Sequence, residues 1–327
     1  MMTLDCQLEN WELIEAFTIA RSSITHVEVI KVTLTDHLGH QGVGEAAGVD
    51  YDGETVHSLA AQLSSIASQL TDTVCHQTLA QLLPRGGARN ALDCALWDLR
   101  AKQSGIPAWQ SAGLASLKPV TTVFTLGLGG EEDTRRKARE AIAYPLLKLK
   151  MDADRHIDIV RIVREEHPHA EILVDANQSW SRAKLEMLLP ALHDLKVRLI
   201  EQPVPRGDDD SLQGLNSCIP LAADESCSDA ASVAQLAPYY QYINIKLDKT
   251  GGLTEALAVA SKAQQHRIGL MIGNMCGTSL AMAPAFLIAQ SCRYVDLDGP
   301  LLQRQDRANP IQFNHGLMQV PSRHLWG

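Results

Sequence analysis

The amino-acid sequence predicts an α/β protein in which a closed barrel of parallel strands follows a smaller α+β domain. The first observation is a regular alternation of short apolar strands and helical stretches that begins after Pro119. The second is the different order in roughly the first 115 residues, where strands come first and helices follow. Alternating strands and helices form βαβ units with parallel strands, whereas strands followed by helices are typical of α+β domains.

Length and composition agree with this fold class. The chain has 327 residues, of which 45% are hydrophobic and 20% charged, and its formal net charge is −9. The acidic balance argues against a nucleic-acid-binding protein, which needs a basic surface to displace the counterions of phosphates. No apolar run approaches the roughly 20 residues that span a bilayer, and the beginning of the chain lacks a signal segment. The seven cysteines are scattered, so we expect a reduced, cytoplasmic protein without a disulfide framework.

Two strands and two helical regions are predicted in the first domain. The strands are 26–34 and 41–46, and residues 55–83 have a helical pattern. Residues 88–104 form a strong helix, because apolar side chains recur at three- and four-residue steps along one face. Gly105 is expected to end that helix.

Eight short strands, with seven helical stretches between them, are predicted in the second part. The strands are 120–126, 146–150, 171–176, 198–202, 220–225, 242–247, 269–273 and 294–298. The clearest helices are 154–166, 181–193, 251–266 and 278–290. Eight strands at a spacing of about 25 residues indicate a closed barrel instead of an open sheet.

Charged residues stand at the carboxyl ends of most predicted barrel strands, although buried parallel strands are normally apolar. They are Lys148, Lys150, Asp175, Glu201, Asp224, Glu225, Lys246, Asp296 and Asp298. A helix cap or a rim ion pair explains one such strand end, but six of the eight strands share the feature. The carboxyl ends of barrel strands form the active-site mouth, so we predict an active site there.

Three of these acids, Asp175, Glu201 and Asp224, supply an all-oxygen set of ligands from three adjacent strands. Hard cations, Mg²⁺ first, are bound by a few carboxylates together with water and substrate. The alternative is a structural network in which the acids pair with neighbouring lysines.

Two lysines are expected to face each other across the barrel. Lys148 and Lys150 are two residues apart on one strand and therefore point to the same side, into the barrel. Lys246 lies four strands further round and would face Lys150. Two amines on opposite sides of a metal suggest that one removes a proton from a carbon while the other returns a proton to the opposite face. Both lysines need lowered pKa values, which Mg²⁺ and a second cation can supply.

At these residues the chain resembles the enolase superfamily, its muconate-lactonizing subgroup, and within that subgroup the L-Ala-D/L-Glu (dipeptide) epimerases. The motifs are K-L-K at 148–150, V-D-A-N at 174–177, E-Q-P at 201–203, A-D-E-S at 223–226, N-I-K-L-D-K-T-G-G at 244–252 and A-R-N-A-L-D-C-A-L-W-D-L at 88–99. A lysine base with Mg²⁺ that stabilises an enediolate is the known chemistry of this superfamily.

The resemblance implies an enolase-like fold, a modified (β/α)7β TIM-like barrel with an N-terminal α+β capping domain. We place the capping domain at 1–115, the barrel at 116–310 and a carboxyl-terminal segment at 311–327. Some carboxyl-terminal residues are expected to return to the capping domain.

The resemblance also implies roles for individual residues. Asp175, Glu201 and Asp224 would bind one Mg²⁺ per subunit, and Lys150 and Lys246 would be the acid/base pair. Lys148 would assist at the substrate carboxylate. Supporting roles would fall to Asn177, Glu225, Asp248 and Lys249.

The segment D-L-D-G-P at 296–300 distinguishes dipeptides from the other substrates of this subgroup, which include lactones, o-succinylbenzoate precursors and N-acylamino acids. Asp296 and Asp298 share a strand face, and in the dipeptide epimerases such a pair resembles a receptor for the free ammonium of the dipeptide. The alternative is a turn in which Asp298 caps its own backbone. Arg21 resembles the family's contact for the glutamate side chain, which its bidentate fork suits, although a surface arginine is the other interpretation.

Two departures from the family bear on substrate preference. The seventh strand reads G-N-M-C-G-T-S at 273–279, where relatives commonly have Gly-Cys-Met, and we expect Asn274 to alter the pocket floor. The 48–54 loop (G-V-D-Y-D-G-E) is more acidic than expected, which weakens a preference for a glutamate side chain.

The predicted function is Mg²⁺-dependent epimerisation of L-Ala-D/L-Glu or a related dipeptide, with murein-peptide recycling as the role by family analogy. The first alternative is an o-succinylbenzoate synthase or a muconate-type cycloisomerase on the same scaffold. Less favoured are a metal-free barrel with Lys246 as a Schiff-base nucleophile and a non-catalytic barrel. The expected partner is a small-molecule dipeptide, without nucleic acid or membrane, and a homo-oligomer is left open.

Overall fold

A computed structural model describes residues 2–18, 23–152, 154 and 156–327. The chain begins with an antiparallel sheet of β1 (Thr3–Thr18), β2 (Ser23–Thr35) and β3 (Gln41–Ala46) in that order. The predicted strands 26–34 and 41–46 are confirmed, but β1 is absent from the prediction. Its side chains are mostly exposed because it forms the edge of the sheet, so its apolar signal is weak.

Three helices follow this sheet: α1 (Val56–Ile66), α2 (His76–Leu82) and α3 (Gly87–Ser104). The continuous helical region predicted over 55–83 is wrong in its middle, where a 3-10 turn and a loop separate α1 from α2. The strong predicted helix is α3, and Gly105 ends it in a left-handed conformation with φ 73°. Its apolar face packs on the sheet, with Leu92 and Leu96 fully buried in the same core cluster as Ile30.

Short elements connect this domain to the barrel. They are α4 (Ala108–Ser111) and β4 (Val120–Thr121), and β4 pairs with β14 of a carboxyl-terminal hairpin, β13 (Phe313–Asn314) and β14 (Leu317–Met318). The last residues return to α3: Trp326 Nε1 donates to the carbonyl of Cys94, and the amide of Gly327 donates to Asp98.

Eight parallel strands form the barrel, in the spatial order of the chain. They are β5 (Phe124–Leu126), β6 (Leu146–Lys150), β7 (Glu171–Asp175), β8 (Val197–Glu201), β9 (Leu221–Ala223), β10 (Tyr242–Ile245), β11 (Gly269–Ile272) and β12 (Tyr294–Val295). A hydrogen bond of 2.8 Å from the amide of Val123, just before β5, to the carbonyl of Val295 in β12 joins the two ends of the sheet. The predicted TIM-like barrel with its N-terminal domain is confirmed.

Helices connect the barrel strands. They are α5 (Glu131–Glu140), α6 (Ile157–Glu166), α7 (Arg182–Asp194), α8 (Ala230–Leu236), α9 (Leu247–Thr250), α10 (Leu253–Gln265) and α11 (Ser279–Ala289). Between β8 and β9 the structure has only a 3-10 helix (Asp209–Leu212) where the sequence predicted a helical stretch. None of the helices in the described part of the chain has the length and apolar character needed to cross a membrane.

Candidate active site

The parallel register brings the predicted site residues to one end of the barrel. Lys150 of β6 lies opposite Asp175 of β7, which in turn lies opposite Glu201 of β8. Asp224 directly follows β9, and Lys246 directly follows β10. Because parallel strands end at the same edge, residues far apart in the chain become neighbours here.

The three carboxyls are almost completely buried, with exposures of 0% for Asp175, 1% for Glu201 and 0% for Asp224. Buried charges persist only when they are paired or bound to a metal. Each of these acids faces at least one lysine amine in the structure.

Lys148 is the most enclosed of these amines. Its Nζ lies 2.7 Å from Asp296, 2.8 Å from Glu201 and 3.0 Å from Asp175. Burial opposes its charge, but the three acids outweigh that effect and hold the pKa of Lys148 well above its ordinary value. Its amine is therefore held between carboxylates, and its predicted contact with a substrate carboxylate stays a prediction.

Lys150 and Lys246 line the same cavity of about 340 Å³. Lys150 Nζ lies 2.7 Å from Oδ2 of Asp175, and Lys246 Nζ lies 2.6 Å from Oδ2 of Asp224. The two lysines thus approach one cavity from β6 and from the end of β10, four strands further round the barrel.

The acids do not titrate alike. Burial, followed by repulsion from Asp175, raises the pKa of Glu201 to about 8. Burial also acts on Asp224, but Lys246 and Lys249 outweigh it and lower the pKa of Asp224 well below its ordinary value. The same carboxylate of Asp224 helps to raise the pKa of Lys246 well above its ordinary range, against the effect of burial.

Charge in this region is not balanced. Six carboxyls, those of Asp175, Glu201, Asp224, Glu225, Asp296 and Asp298, lie with the four amines of Lys148, Lys150, Lys246 and Lys249, a formal excess of two negative charges. Among the described residues, no three acid, histidine or cysteine side chains are grouped as the ligands of one metal ion. The lysine amines lie between the acids instead.

The predicted supporting residues contact this centre. The backbone N–H of Asn177 donates to Asp175 Oδ1 at 2.9 Å. Lys249 donates to Asp224 Oδ1 and to two backbone carbonyls, those of Asp224 and Asn244. Glu225 lines the cavity. Asp248 accepts a hydrogen bond of 2.9 Å from the amide of Gly48 and so joins the barrel to the 48–54 loop.

The two acids of the 296–300 segment have separate partners. Asp296 pairs with Lys148, whereas Asp298 accepts a hydrogen bond of 2.7 Å from the amide of Thr125. Burial and the neighbouring Asp296 raise the pKa of Asp298 to about 7. The interpretation of Asp298 as a cap of its own turn is wrong, because its side chain makes no hydrogen bond to that turn and accepts one from β5, across the barrel seam, instead.

Two other predicted residues have different outcomes. Asn274 lines the cavity, and its side chain donates to the carbonyl of Asp296 and accepts from the amide of Cys276. It therefore holds the loop after β11 against the last strand. Arg21 lies outside the described residues.

Asn244 and Gln202 are polar partners that the sequence prediction missed. Asn244 donates from Nδ2 to Glu201 Oε1 at 2.8 Å, and Gln202 Oε1 accepts from the amide of Asp224 at 2.9 Å. Both side chains are fully buried. Their signal was available: Asn244 is two residues before Lys246 on one strand and therefore shares its face.

Comparison with known proteins identifies the class of this fold and site. Residues 1–113 match the mandelate racemase / muconate lactonizing enzyme N-terminal domain, and residues 133–324 match the enolase C-terminal domain-like family. The chain belongs to this family of the enolase superfamily, as the motifs predicted.

Two relatives narrow the comparison. Over 322 residues, the chain is 37% identical to an L-Ala-D/L-Glu epimerase of Escherichia coli (strain K12), covering 98% of this chain and 100% of that protein. Over 253 residues it is 45% identical to an N-acetyl-D-glutamate racemase of a Pseudoalteromonas species, covering 76% and 79%.

Two solved structures share the whole fold. An enolase family member from Agrobacterium tumefaciens with homology to dipeptide epimerases, bound to sodium and L-Ala-L-Glu, aligns with a TM-score of 0.97, 37% identity and full coverage of both chains. A dipeptide epimerase from Methylococcus capsulatus, complexed with Mg and the dipeptide L-Arg-D-Lys, aligns with a TM-score of 0.91, 31% identity and 99% coverage of both chains.

Proposed function

We propose that this protein is a Mg²⁺-dependent dipeptide epimerase that acts on L-Ala-D/L-Glu or a related dipeptide. The observation that carries the proposal is the approach of Lys150 and Lys246 to one cavity from strands four apart in the barrel. The relatives and solved structures that act on or bind dipeptides support the same activity.

In this proposal the two lysines act on the α-carbon next to the terminal carboxylate. One neutral amine accepts the α-proton, and the other, as an ammonium, donates a proton to the opposite face of the planar carbon. The configuration inverts and no atom is gained or lost. Each turnover exchanges the protonation states of Lys150 and Lys246, which the reverse reaction or solvent restores.

The donor set fits a hard divalent cation. We assign Asp175, Glu201 and Asp224 as its ligands because these buried oxygen donors on adjacent strands suit Mg²⁺. Glu201 Oε2 adds a further observation, since it lies 2.8 Å from Lys148 Nζ but makes no hydrogen bond. Bound Mg²⁺ would supply positive charge that stabilises an enediolate and opposes the raised pKa of Lys246.

We assign recognition of the dipeptide ammonium to Asp298, with Asp296 held in place by Lys148. Lys148 and Arg21 remain the proposed partners of the substrate carboxylates. Asn177, Glu225, Asp248 and Lys249 are proposed to support the ligands and lysines.

A second candidate is racemisation of an N-acyl amino acid such as N-acetylglutamate. It is favoured by the pairing of Asp296 with Lys148, which neutralises half of the proposed ammonium receptor, and by the relative named N-acetyl-D-glutamate racemase. Both reactions use the same proton transfers and differ in whether the substrate carries a free amino group.

Incubation with substrates in deuterated water tests the proposal. L-Ala-L-Glu and a panel of related dipeptides should gain one α-deuterium in the terminal residue and form the epimer, whereas N-acetyl-L-glutamate should react much more slowly. Faster turnover of N-acetylglutamate would establish the second candidate. Dehydration without exchange would favour the o-succinylbenzoate synthase alternative, and borohydride trapping insensitive to EDTA would favour a Schiff base.

The proposal includes the divisions 1–115, 116–310 and 311–327, supported by the return of Trp326 to α3. It also includes a cytoplasmic location and, by family analogy, a role in murein-peptide recycling.

A further inference from the structure

The 48–54 loop of the first domain covers the cavity that contains the two lysines. Its 3-10 turn, Asp50–Asp52, places Asp50 and Tyr51 in the cavity lining together with Lys246 and Glu225. Burial, followed by the negative charge of Asp224, raises the pKa of Tyr51 above its ordinary range. The Tyr51 side chain therefore lies close to the charged residues at the carboxyl ends of the barrel strands.

The base of this loop is held from two sides. The amide of Gly48 donates to Asp248 of the barrel, and Glu54 Oε2 accepts from the amides of Val49 and Gly87 at 2.8 and 2.9 Å. Gly48 and Gly53 have φ values of 85° and 82°, a region that favours glycine, so the two ends of the loop have a defined backbone conformation.

The tip of the loop meets the side chain of Arg206, in the barrel, in two ways. Arg206 Nη2 lies 2.8 Å from Asp52 Oδ1, and its guanidinium lies 5.8 Å from the centre of the Tyr51 ring. Arg206 stands five residues after Glu201, and its own amide donates to Gln178 Oε1 at 3.0 Å. A guanidinium can pair with a carboxylate and stack on an aromatic face at the same time, which an ammonium does less well.

We propose that Arg206 is a positioning residue that holds the 48–54 loop closed over the substrate and so places Tyr51 in the cavity wall. This inference rests on the proposed function for its kinetic consequences, but not for its effect on the loop. The side chains of Arg206 and Asp52 are 45% and 40% exposed, so the pair is weak and breaks easily. A weak latch suits a loop that has to open for each substrate and product.

The variants R206Q, D52N and R206Q/D52N test the latch in a double-mutant cycle. Arg293 provides a matched control, because it lies 3.1 Å from Glu171 and 4.8 Å from the Tyr294 ring, at the amino ends of β7 and β12, the opposite end of the barrel. R206Q should raise KM for the dipeptide by about two- to fivefold, with little change in kcat, because an exposed ion pair favours the closed loop over the open loop by about that factor. D52N should do the same, and the double variant should add nothing further.

Hydrogen exchange provides a readout that needs no turnover. Amides of residues 49–54 should exchange faster by a similar factor in R206Q and D52N, but not in R293Q. Higher salt should raise KM in the unaltered protein and have less effect in R206Q. Equal KM and exchange in R206Q and R293Q, or additive effects in the double variant, would overturn the proposal. If no substrate turns over, the dipeptide proposal fails and the exchange comparison alone decides the latch.

Discussion

The amine of Lys148 and Oδ2 of Asp296 lie 2.7 Å apart, and this ion pair joins β6 to the residue that follows β12. The pair lies where the first and last strands of the barrel meet. It neutralises one of the two acids that were predicted to bind an ammonium. We therefore propose the second acid, Asp298, as the residue that distinguishes dipeptides from N-acyl amino acids.

Replacement of Asp298 by Asn should separate these substrates. D298N keeps an acceptor for the Thr125 amide but loses the negative charge, so KM for L-Ala-L-Glu should rise by about tenfold, as expected for one lost charge-assisted hydrogen bond. Residual turnover of N-acetylglutamate should be unchanged. Steady-state kinetics on both substrates measure the difference, and equal losses would remove Asp298 from ammonium recognition.

Replacement of either acid/base lysine by Arg should abolish epimerisation. K246R and K150R keep the positive charge beside Asp224 and Asp175, but an arginine cannot accept a proton at neutral pH. Turnover should fall by at least about 100-fold, the contribution typical of a general acid or base. Proton NMR in deuterated water measures α-exchange from each epimer separately. If each variant loses exchange from a different epimer, the two lysines serve opposite faces; unaltered exchange in either would contradict the assignment.

Removal of Mg²⁺ should abolish turnover and lower the thermal stability. Addition of Mg²⁺ at 100 times its Kd should raise the free energy of unfolding by about 2.7 kcal/mol through binding to the folded state alone. This rise should be absent in E201Q and unchanged in E186Q, which alters a half-exposed acid of α7. A thermal melt with and without EDTA measures it, and an equal rise in both variants would refute the ligand assignment.

Replacement of Gly273 by Ala should impair catalysis. A Cβ at this position would lie 2.9 Å from the side-chain amide of Asn244, which has to move, and 3.0 Å from Cε of Lys246, which has to give by a few tenths of an ångström. Because a displacement of about 1 Å can lower the rate by roughly 100-fold, we expect these smaller shifts to lower kcat by less than that. Gly130 is the control, because a Cβ there meets nothing within 4 Å. Equal kcat in G273A and G130A would contradict the prediction.

Asp248 should make the folded protein less stable as the pH rises. Burial raises its pKa from an ordinary 3.8 to about 7, with added repulsion from Glu54 and Glu45, while the Gly48 amide opposes the shift. The folded protein therefore binds more protons than the unfolded chain between about pH 4 and pH 7, so its free energy of unfolding falls through that window.

The D248N variant isolates this effect, because Asn cannot titrate but can still accept from Gly48. The fall in stability between pH 4 and pH 7 should be smaller in D248N than in the unaltered protein, by at most about 4 kcal/mol. Urea unfolding at several pH values measures the difference. Parallel curves for the two proteins would show that Asp248 does not titrate in this window.

Much of the fold was predictable because its signals are local. The eight barrel strands and helix α3 follow from apolar spacing within a few residues. The structure confirms them with shifts at their ends, except that the predicted strand 120–126 is divided: only β5 (Phe124–Leu126) belongs to the barrel, whereas β4 (Val120–Thr121) pairs with β14. β1 was missed because an edge strand buries little of its surface. The break between α1 and α2 was missed because the apolar pattern continues through the loop.

The positions of the acids and lysines were predicted for a different reason. Charges at the ends of apolar strands are costly to bury, so their sequence positions already indicate a site. Asn244 was missed because an uncharged amide is a weaker signal than a buried charge, although its position two residues before Lys246 placed it on the same face. The structure shows its role, a hydrogen bond of 2.8 Å to Glu201.

By itself, the sequence determined the fold class, the end of the barrel that contains the site, and the charged residues that line it. Those properties follow from spacing and from the high free energy of burying charge. The tertiary structure decided which amine faces which acid, including the ion pair of Lys148 with Asp296. It also decided that Arg206 contacts Asp52 and Tyr51 of the loop. The contacts of Lys148 with Asp296 and of Arg206 with the loop join residues about 150 positions apart, and only the closure of the barrel and the packing of the first domain on the barrel bring them together.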